Sequence, residues 1–222
     1  MPKQALNDVD IRELLLPFIY REYEGHEVVC LEELAIYGGV NRADVAALNG
    51  VSHGYEIKSE RDTLDRLPSQ VDAYSAIFER ASLVSSPRHL QDARPLIPRW
   101  WGIIEIRRAH DTDCYLHRVR ESRANPAPHA TAVASLLWRN EALDLLTKLG
   151  LDGGVRSKPS EFLAARLAER VEVEKLSAHV REILRARGDW RSAARLKQYD
   201  GSSQPLSSQL RYRRTPYGNI CR

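Results

Sequence analysis

Asp44, Glu56 and Lys58 carry the chemistry most readily read from this chain of 222 residues. They lie in two short segments, residues 42–48 (RADVAAL) and 54–59 (GYEIKS), joined through Asn49-Gly50, a dipeptide that favours hairpin turns. Side chains alternate between the faces of a strand, so Glu56 and Lys58 share one face and Tyr55 and Ile57 the other. Antiparallel pairing across the turn brings Asp44 towards Glu56, and two carboxylates and an ammonium then meet in one patch. Carboxylates that face each other repel. A divalent cation held by their oxygens removes that penalty and keeps positions for water and a phosphate oxygen. Magnesium suits this role, with manganese as a substitute. Such an ion acidifies water and stabilises charge growing on a phosphorane, while Lys58 orients or deprotonates the attacking water. The expected reaction is phosphodiester hydrolysis. The competing reading is an exposed hairpin in which Asp44 and Glu56 pair with Arg42 and Lys58 as ordinary cross-strand ion pairs.

The flanking sequence supplies elements that can hold such a hairpin. A helix is predicted from Asp8, as its cap, to about Tyr23, with Ile11, Leu14, Leu15, Phe18 and Ile19 at three- and four-residue spacing and Pro17 interrupting it. Residues 27–34 (EVVCLEEL) read as a strand or irregular entry, followed by a turn at Gly38-Gly39. A second helix is expected over 67–80, its face made by Leu67, Val71, Tyr74, Ile77 and Phe78, with Pro68 in its first turn. Strands follow at 81–85, 101–106 and 114–119, the first two separated by a Pro-bounded segment with room for a short helix. This order predicts an α/β fold with a mixed central sheet flanked by helices. Beyond Asn125-Pro126-Ala127-Pro128 the pattern is helical, over about 131–149 and 160–187, with Ser157 or Ser160 as the cap of the second helix. The boundaries read from this are a core over 1–128, a basic helical extension over 129–200 and a basic tail over 201–222.

RADVAAL, then GYEIKS, then Gln70-Val71-Asp72-Ala73-Tyr74 resemble the PD-(D/E)XK nuclease superfamily. The Gln-x-x-x-Tyr element is similar to the one that follows the catalytic hairpin in RecB-like and lambda-exonuclease-like branches. The resemblance covers about residues 10–106, with specific motifs from Glu32 to Tyr74. It implies a restriction-endonuclease-like fold, Asp44 and Glu56 as metal ligands, the carbonyl of Ile57 as a further ligand, Lys58 as the catalytic lysine, and Gln70 and Tyr74 beside the site. It also implies an acid upstream of the hairpin, for which Glu33 is preferred to Glu32 by its place next to Leu34. Ala43 stands where the superfamily's name pattern has proline. DNA is favoured over RNA by this resemblance alone.

Charge is unevenly spread: residues 1–128 carry 16 Lys/Arg and 20 Asp/Glu, residues 129–222 carry 17 and 10, and the whole chain has a net charge of +3. An acidic half can hold cations while a basic half attracts a polyanion. Arg61 and Arg66 lie close enough to the motif to touch a phosphate, and Arg211, Arg213 and Arg214 flank or follow Tyr212 in a run suited to non-specific nucleic-acid contact. The apolar stripes of the C-terminal helices are expected to pack on the core or on a second subunit or protein partner. Of the pair Trp100-Trp101, one member is expected in the core. No His-Glu-x-x-His, Gly-x-Ser-x-Gly or phosphate-cradling Gly-rich motif occurs, which removes the common zinc-hydrolase, serine-hydrolase and ATP-motor readings. Three cysteines without metal spacing, no membrane-length apolar run and no secretory leader pattern make a cytoplasmic protein the default expectation. The alternative to an enzyme is a catalytically silent nucleic-acid-binding or assembly protein that retains the fold.

Overall fold

The computed structural model describes residues 6–36, 41–109 and 114–187. One mixed six-stranded sheet runs in sequential order through β1 (Val29–Ile36), β2 (Asn41–Leu48), β3 (Ser52–Lys58), β4 (Arg80–Ser85), β5 (Gly102–Arg108) and β6 (Cys114–Arg120). β1, β2 and β3 pair antiparallel, β3, β4 and β5 run parallel, and β6 returns antiparallel. Parallel neighbours need a crossover, and helices α2 (Leu67–Ile77) and α3 (Pro87–Ala93) provide the two. The fold class read from the sequence is thus the one that forms.

Helix α1 (Asp8–Glu22) covers one face of this sheet. Its cap is Asn7 rather than Asp8: the Asn7 Oδ1 accepts the Asp10 N–H at 3.0 Å, and Asp10 Oδ2 accepts the Asn7 N–H at 2.9 Å. Pro17 does not end the helix, because one lost N–H is outweighed by Ile11, Leu15 and Ile19, which are fully buried at successive turns against Val45, Ala47, Tyr55, Ile57, Val84 and Ile104. The opposite face carries the larger core, where Ala46, Leu48, Ala81, Leu83 and Ile103 pack under Leu67, Tyr74, Ile77 and Phe78 of α2. The helix α2 stops at Ile77, earlier than its apolar pattern predicts, because Phe78 turns extended to feed β4. Gly54 permits the close approach of α2 to β3: a Cβ there would lie 2.5 Å from the Phe78 ring and 2.8 Å from the Tyr74 ring.

The C-terminal part consists of α4 (Ala130–Ala134), α5 (Arg139–Lys148), α6 (Ser160–Arg170) and α7 (Val173–Ala186). Where two long helices were expected, four form. Leu136 and Leu137 are both buried where the chain leaves α4, and the helix restarts after Trp138, whose N–H is accepted by Glu141 at 2.8 Å. A second break falls at Val171, whose backbone is extended. Neither Ser157 nor Ser160 caps α6; Pro159 holds that position and no side chain bonds there. Val133, Leu145, Leu163, Leu176 and Val180 belong to the same apolar cluster as α2 and the sheet, so these stripes pack on the core, with Phe162 left exposed. Trp101 is fully buried and Trp100 partly so. Among the described residues no helix is long and apolar enough to cross a membrane. Gly38-Gly39 and the tail with Arg211, Arg213 and Arg214 lie outside the described residues.

Candidate functional site

Strand alternation on β3 sends Tyr55 and Ile57 into the core under α1, and this leaves Glu56 and Lys58 on the side of α2. The β2–β3 register runs from Leu48↔Ser52 to Val45↔Tyr55, and the next residues along the two strands are Asp44 and Glu56, close enough for the Glu56 charge to act on Asp44. Asn49–Val51 form the connection, with the Asn49 N–H donating to the Val51 carbonyl at 3.2 Å. Lys58 Nζ donates to Glu56 Oε1 at 2.6 Å, and both residues are buried, at 4% and 0% exposure. Such a pair is not ordinary surface charge.

Tyr74 ties the rung together from α2. Its hydroxyl accepts the Asp44 N–H at 3.0 Å and donates towards the Tyr55 carbonyl at 3.2 Å, so one phenol bridges the backbones of β2 and β3 beside the carboxylates. Asp44 Oδ2 accepts the Ile57 N–H at 2.7 Å, which fixes its orientation. Burial, and then the charge of Glu56, push the Asp44 carboxyl up to about 8; the Ile57 N–H and Arg12 oppose this less strongly. Burial also raises Glu56, despite the ammonium of Lys58. The two carboxyls therefore resist being ionised together, and a cation between their oxygens would reverse that resistance. Gln70, one turn before Tyr74, is half-buried, and its Oε1 has no partner among the described residues; neither has Glu56 Oε2.

Glu33 has a left-handed backbone (φ 52°), a strained conformation for a residue with a side chain. Its carboxylate is held by Arg12, with Arg42 at 3.9 Å. Glu32 lies 4.0 Å from the same Arg12 guanidinium. Among the described residues no three His, Cys, Asp or Glu side chains are grouped to hold one metal ion. Asp44, Glu56, Lys58 and Tyr74 come together as expected, whereas Glu33 is engaged through Arg12. Arg66 is exposed at the start of α2 with its charge acting on Glu56, and Arg61 is exposed on the turn after β3.

Arg12 was not singled out by its sequence context. It sits on α1 with 9% exposure, 2.7 Å from Asp8, 3.7 Å from Asp44 Oδ1 and hydrogen-bonded to Glu33. Burial works against its charge, but the Glu33 hydrogen bond and the Asp8, Glu33 and Asp44 charges outweigh it and raise its pKa. The Asp8-Arg12 spacing signals a helical ion pair; nothing local signals the strand acids beyond it.

The family described as Bacteriophage P4 protein cII matches residues 1–208, which include every residue of this acid patch. The chain belongs to that family. Within it, Protein cII of Enterobacteria phage P4 is 22% identical over 148 residues, covering 67% of this chain and 56% of the phage protein. The chain thus spans just over half the length of that curated P4 cII relative. Among solved structures, the SPO1766 protein of unknown function from Silicibacter pomeroyi is similar with a TM-score of 0.38 and 18% identity, over 66% of this P4 cII-family chain and 96% of the other.

Proposed function

We propose that this P4 cII-family chain is a metal-dependent nuclease that hydrolyses phosphodiester bonds of nucleic acid in the cytoplasm. DNA is preferred to RNA on the PD-(D/E)XK resemblance alone. The observation that carries the reading is the grouping of Asp44 and Glu56 just beyond the Val45↔Tyr55 pair, with Lys58 Nζ 2.6 Å from Glu56 and the Tyr74 hydroxyl on the Asp44 N–H. A surface ion-pair reading of these residues has no account of a Glu-Lys pair buried to this degree at an Asp with an elevated pKa.

The donors fit magnesium or manganese. Asp44, Glu56 and the Ile57 carbonyl offer hard oxygens, and the buried, unpartnered Glu56 Oε2 is an acceptor whose desolvation a cation would offset. When bound, the ion supplies positive charge that acidifies water and stabilises negative charge on phosphorus oxygens. The other tasks fall to the chain. Tyr74 and the Ile57 N–H hold Asp44 in place, and Lys58, itself positioned by Glu56, orients the attacking water or takes its proton. Gln70, one turn before Tyr74 on α2, has an open acceptor, and Arg61 and Arg66 offer exposed guanidinium groups to flanking phosphates.

The test is cleavage of single- and double-stranded DNA and RNA in magnesium, manganese or EDTA, with the wild type set against Asp44→Ala and Lys58→Ala. Metal-dependent cleavage lost in both variants is the expected result. Cleavage insensitive to EDTA or to both substitutions overturns the reading. If no substrate is cut but DNA is bound, the chain is instead a silent binding protein on the same fold.

A further inference from the structure

The acid patch already contains a cation. Arg12 reaches it from α1, the helix packed on the other face of the sheet, and stands within 4.0 Å of Asp8, Glu32, Glu33 and Asp44. The two oxygens of Asp44 are used separately: Oδ2 accepts the Ile57 N–H, while Oδ1 faces Arg12 at 3.7 Å. At 9% exposure this guanidinium is not a surface charge that bulk counter-ions replace freely.

Counting charges shows how many further cations the patch can take. Asp8, Glu32, Glu33, Asp44 and Glu56 supply five carboxylates, and Arg12, Arg42 and Lys58 supply three cations within 4.0 Å of them. Full ionisation leaves two negative charges, the charge of one divalent ion. A second divalent ion would leave the patch net positive and would have to displace Arg12 from Glu33 and Asp44. Phosphodiesterases with two metal ions need a second set of carboxylates, and here those carboxylates are committed to a guanidinium.

We infer that Arg12 stands in place of a second metal ion, so that the site binds one divalent cation and Glu32 and Glu33 serve the arginine rather than the metal. The inference rests on the metal-dependent reading above and adds a stoichiometry and a positioning residue to it. The strained backbone of Glu33 accords with a carboxylate held to a fixed partner.

The experiment is Mn2+ binding to the full chain by calorimetry, with free Mn2+ followed by electron paramagnetic resonance. Wild type is expected to take one ion. Arg12→Gln, freed of its charge, is expected to take a second, or to bind the first about tenfold more tightly or better, because a unit charge is removed a few ångströms away. Arg12→Lys keeps the charge and should keep one ion. Two ions in wild type, or one ion of unchanged affinity in a folded Arg12→Gln, overturns the role given to Arg12 and leaves the metal-dependent reading standing. No Mn2+ binding by wild type overturns that reading itself. Should Arg12→Gln fail to fold by circular dichroism, Glu33→Gln decides: unchanged binding of one ion supports the inference, and a tenfold loss makes Glu33 a metal ligand and overturns it.

Discussion

The hydroxyl of Tyr74 accepts the backbone N–H of Asp44 at 3.0 Å and faces the Tyr55 carbonyl at 3.2 Å, so a helix side chain fixes the spacing of the two strands that carry the acids. Tyr74→Phe keeps the ring packed against Phe78 and Trp101 but leaves a backbone donor and acceptor short of a partner. A loss of about 1–3 kcal/mol in urea unfolding follows from the cost of unsatisfied buried polar groups. The same change should lower cleavage beyond what that stability loss explains, because Asp44 is no longer held. Equal stability with full activity would show that the bridge is not needed.

Gly54 makes this bridge reachable. A methyl group at 54 would stand 2.5 Å from the Phe78 ring, whereas nothing lies within 4 Å of the corresponding position at Gly50. Gly54→Ala is expected to destabilise the protein by about 1–3 kcal/mol through overpacking, and Gly50→Ala to change little. Thermal unfolding of the two variants side by side separates a packing requirement from a general loss of glycine flexibility. Equal effects would count against it.

Much of this was legible in local pattern. The alternation Tyr55-Glu56-Ile57-Lys58 and the Asn49-Gly50 turn specify a hairpin with two polar side chains on one face, and Tyr74 follows four residues after Gln70 on a helix of evident period. The role of Arg12 was not legible, because it depends on where α1 lies over a strand more than thirty positions away in sequence. Nor were the breaks at Leu136-Leu137 and Val171, where apolar residues satisfy a helical period while tertiary packing demands a turn. The choice between Glu32 and Glu33 also turns on Arg12, a contact that no spacing encodes.

Stability of the metal-free protein should depend on pH through the acid pair. Asp44 keeps its proton up to about pH 8 in the folded chain, against about 4 when unfolded. Between those values the folded state binds the extra proton, so its stability falls as pH rises. Glu56 adds to the trend in the same direction. Melting temperatures measured in EDTA from about pH 6.5 to 9, above the range in which a buried neutral His53 titrates on unfolding, should therefore decline, and Mg2+ or Mn2+ should restore most at the alkaline end, where Asp44 is ionised. In Asp44→Asn the decline flattens and the metal effect is lost. A metal effect that is unchanged in that variant would place the ion elsewhere.

His53 works in the opposite sense at the other end of β3. Its ring is buried, stacked on Tyr55 with centroids 4.2 Å apart, and hydrogen-bonded through Nε2 to Ser82 Oγ at 2.9 Å and through Nδ1 to the Tyr55 hydroxyl at 3.2 Å. Burial, with Arg118 and Arg80 adding to it, lowers its pKa to about 3, so the folded protein holds the neutral imidazole. The unfolded chain takes up that proton near pH 6.5, which means the unfolded state binds more protons between about 3 and 6.5 and stability drops as the solution is acidified through that window. This contribution amounts to about a few kcal/mol at full titration, and between about pH 4 and 6.5 it opposes the stability that Asp44 gains on acidification. Titrating the unfolding free energy from pH 7 to 4 (values inside the His53 window) checks it: His53→Gln, which keeps a hydrogen-bonding side chain without the titrating ring, starts less stable at neutral pH but should lose less on acidification than wild type. Parallel acid limbs in the two proteins would mean that a different group governs the transition.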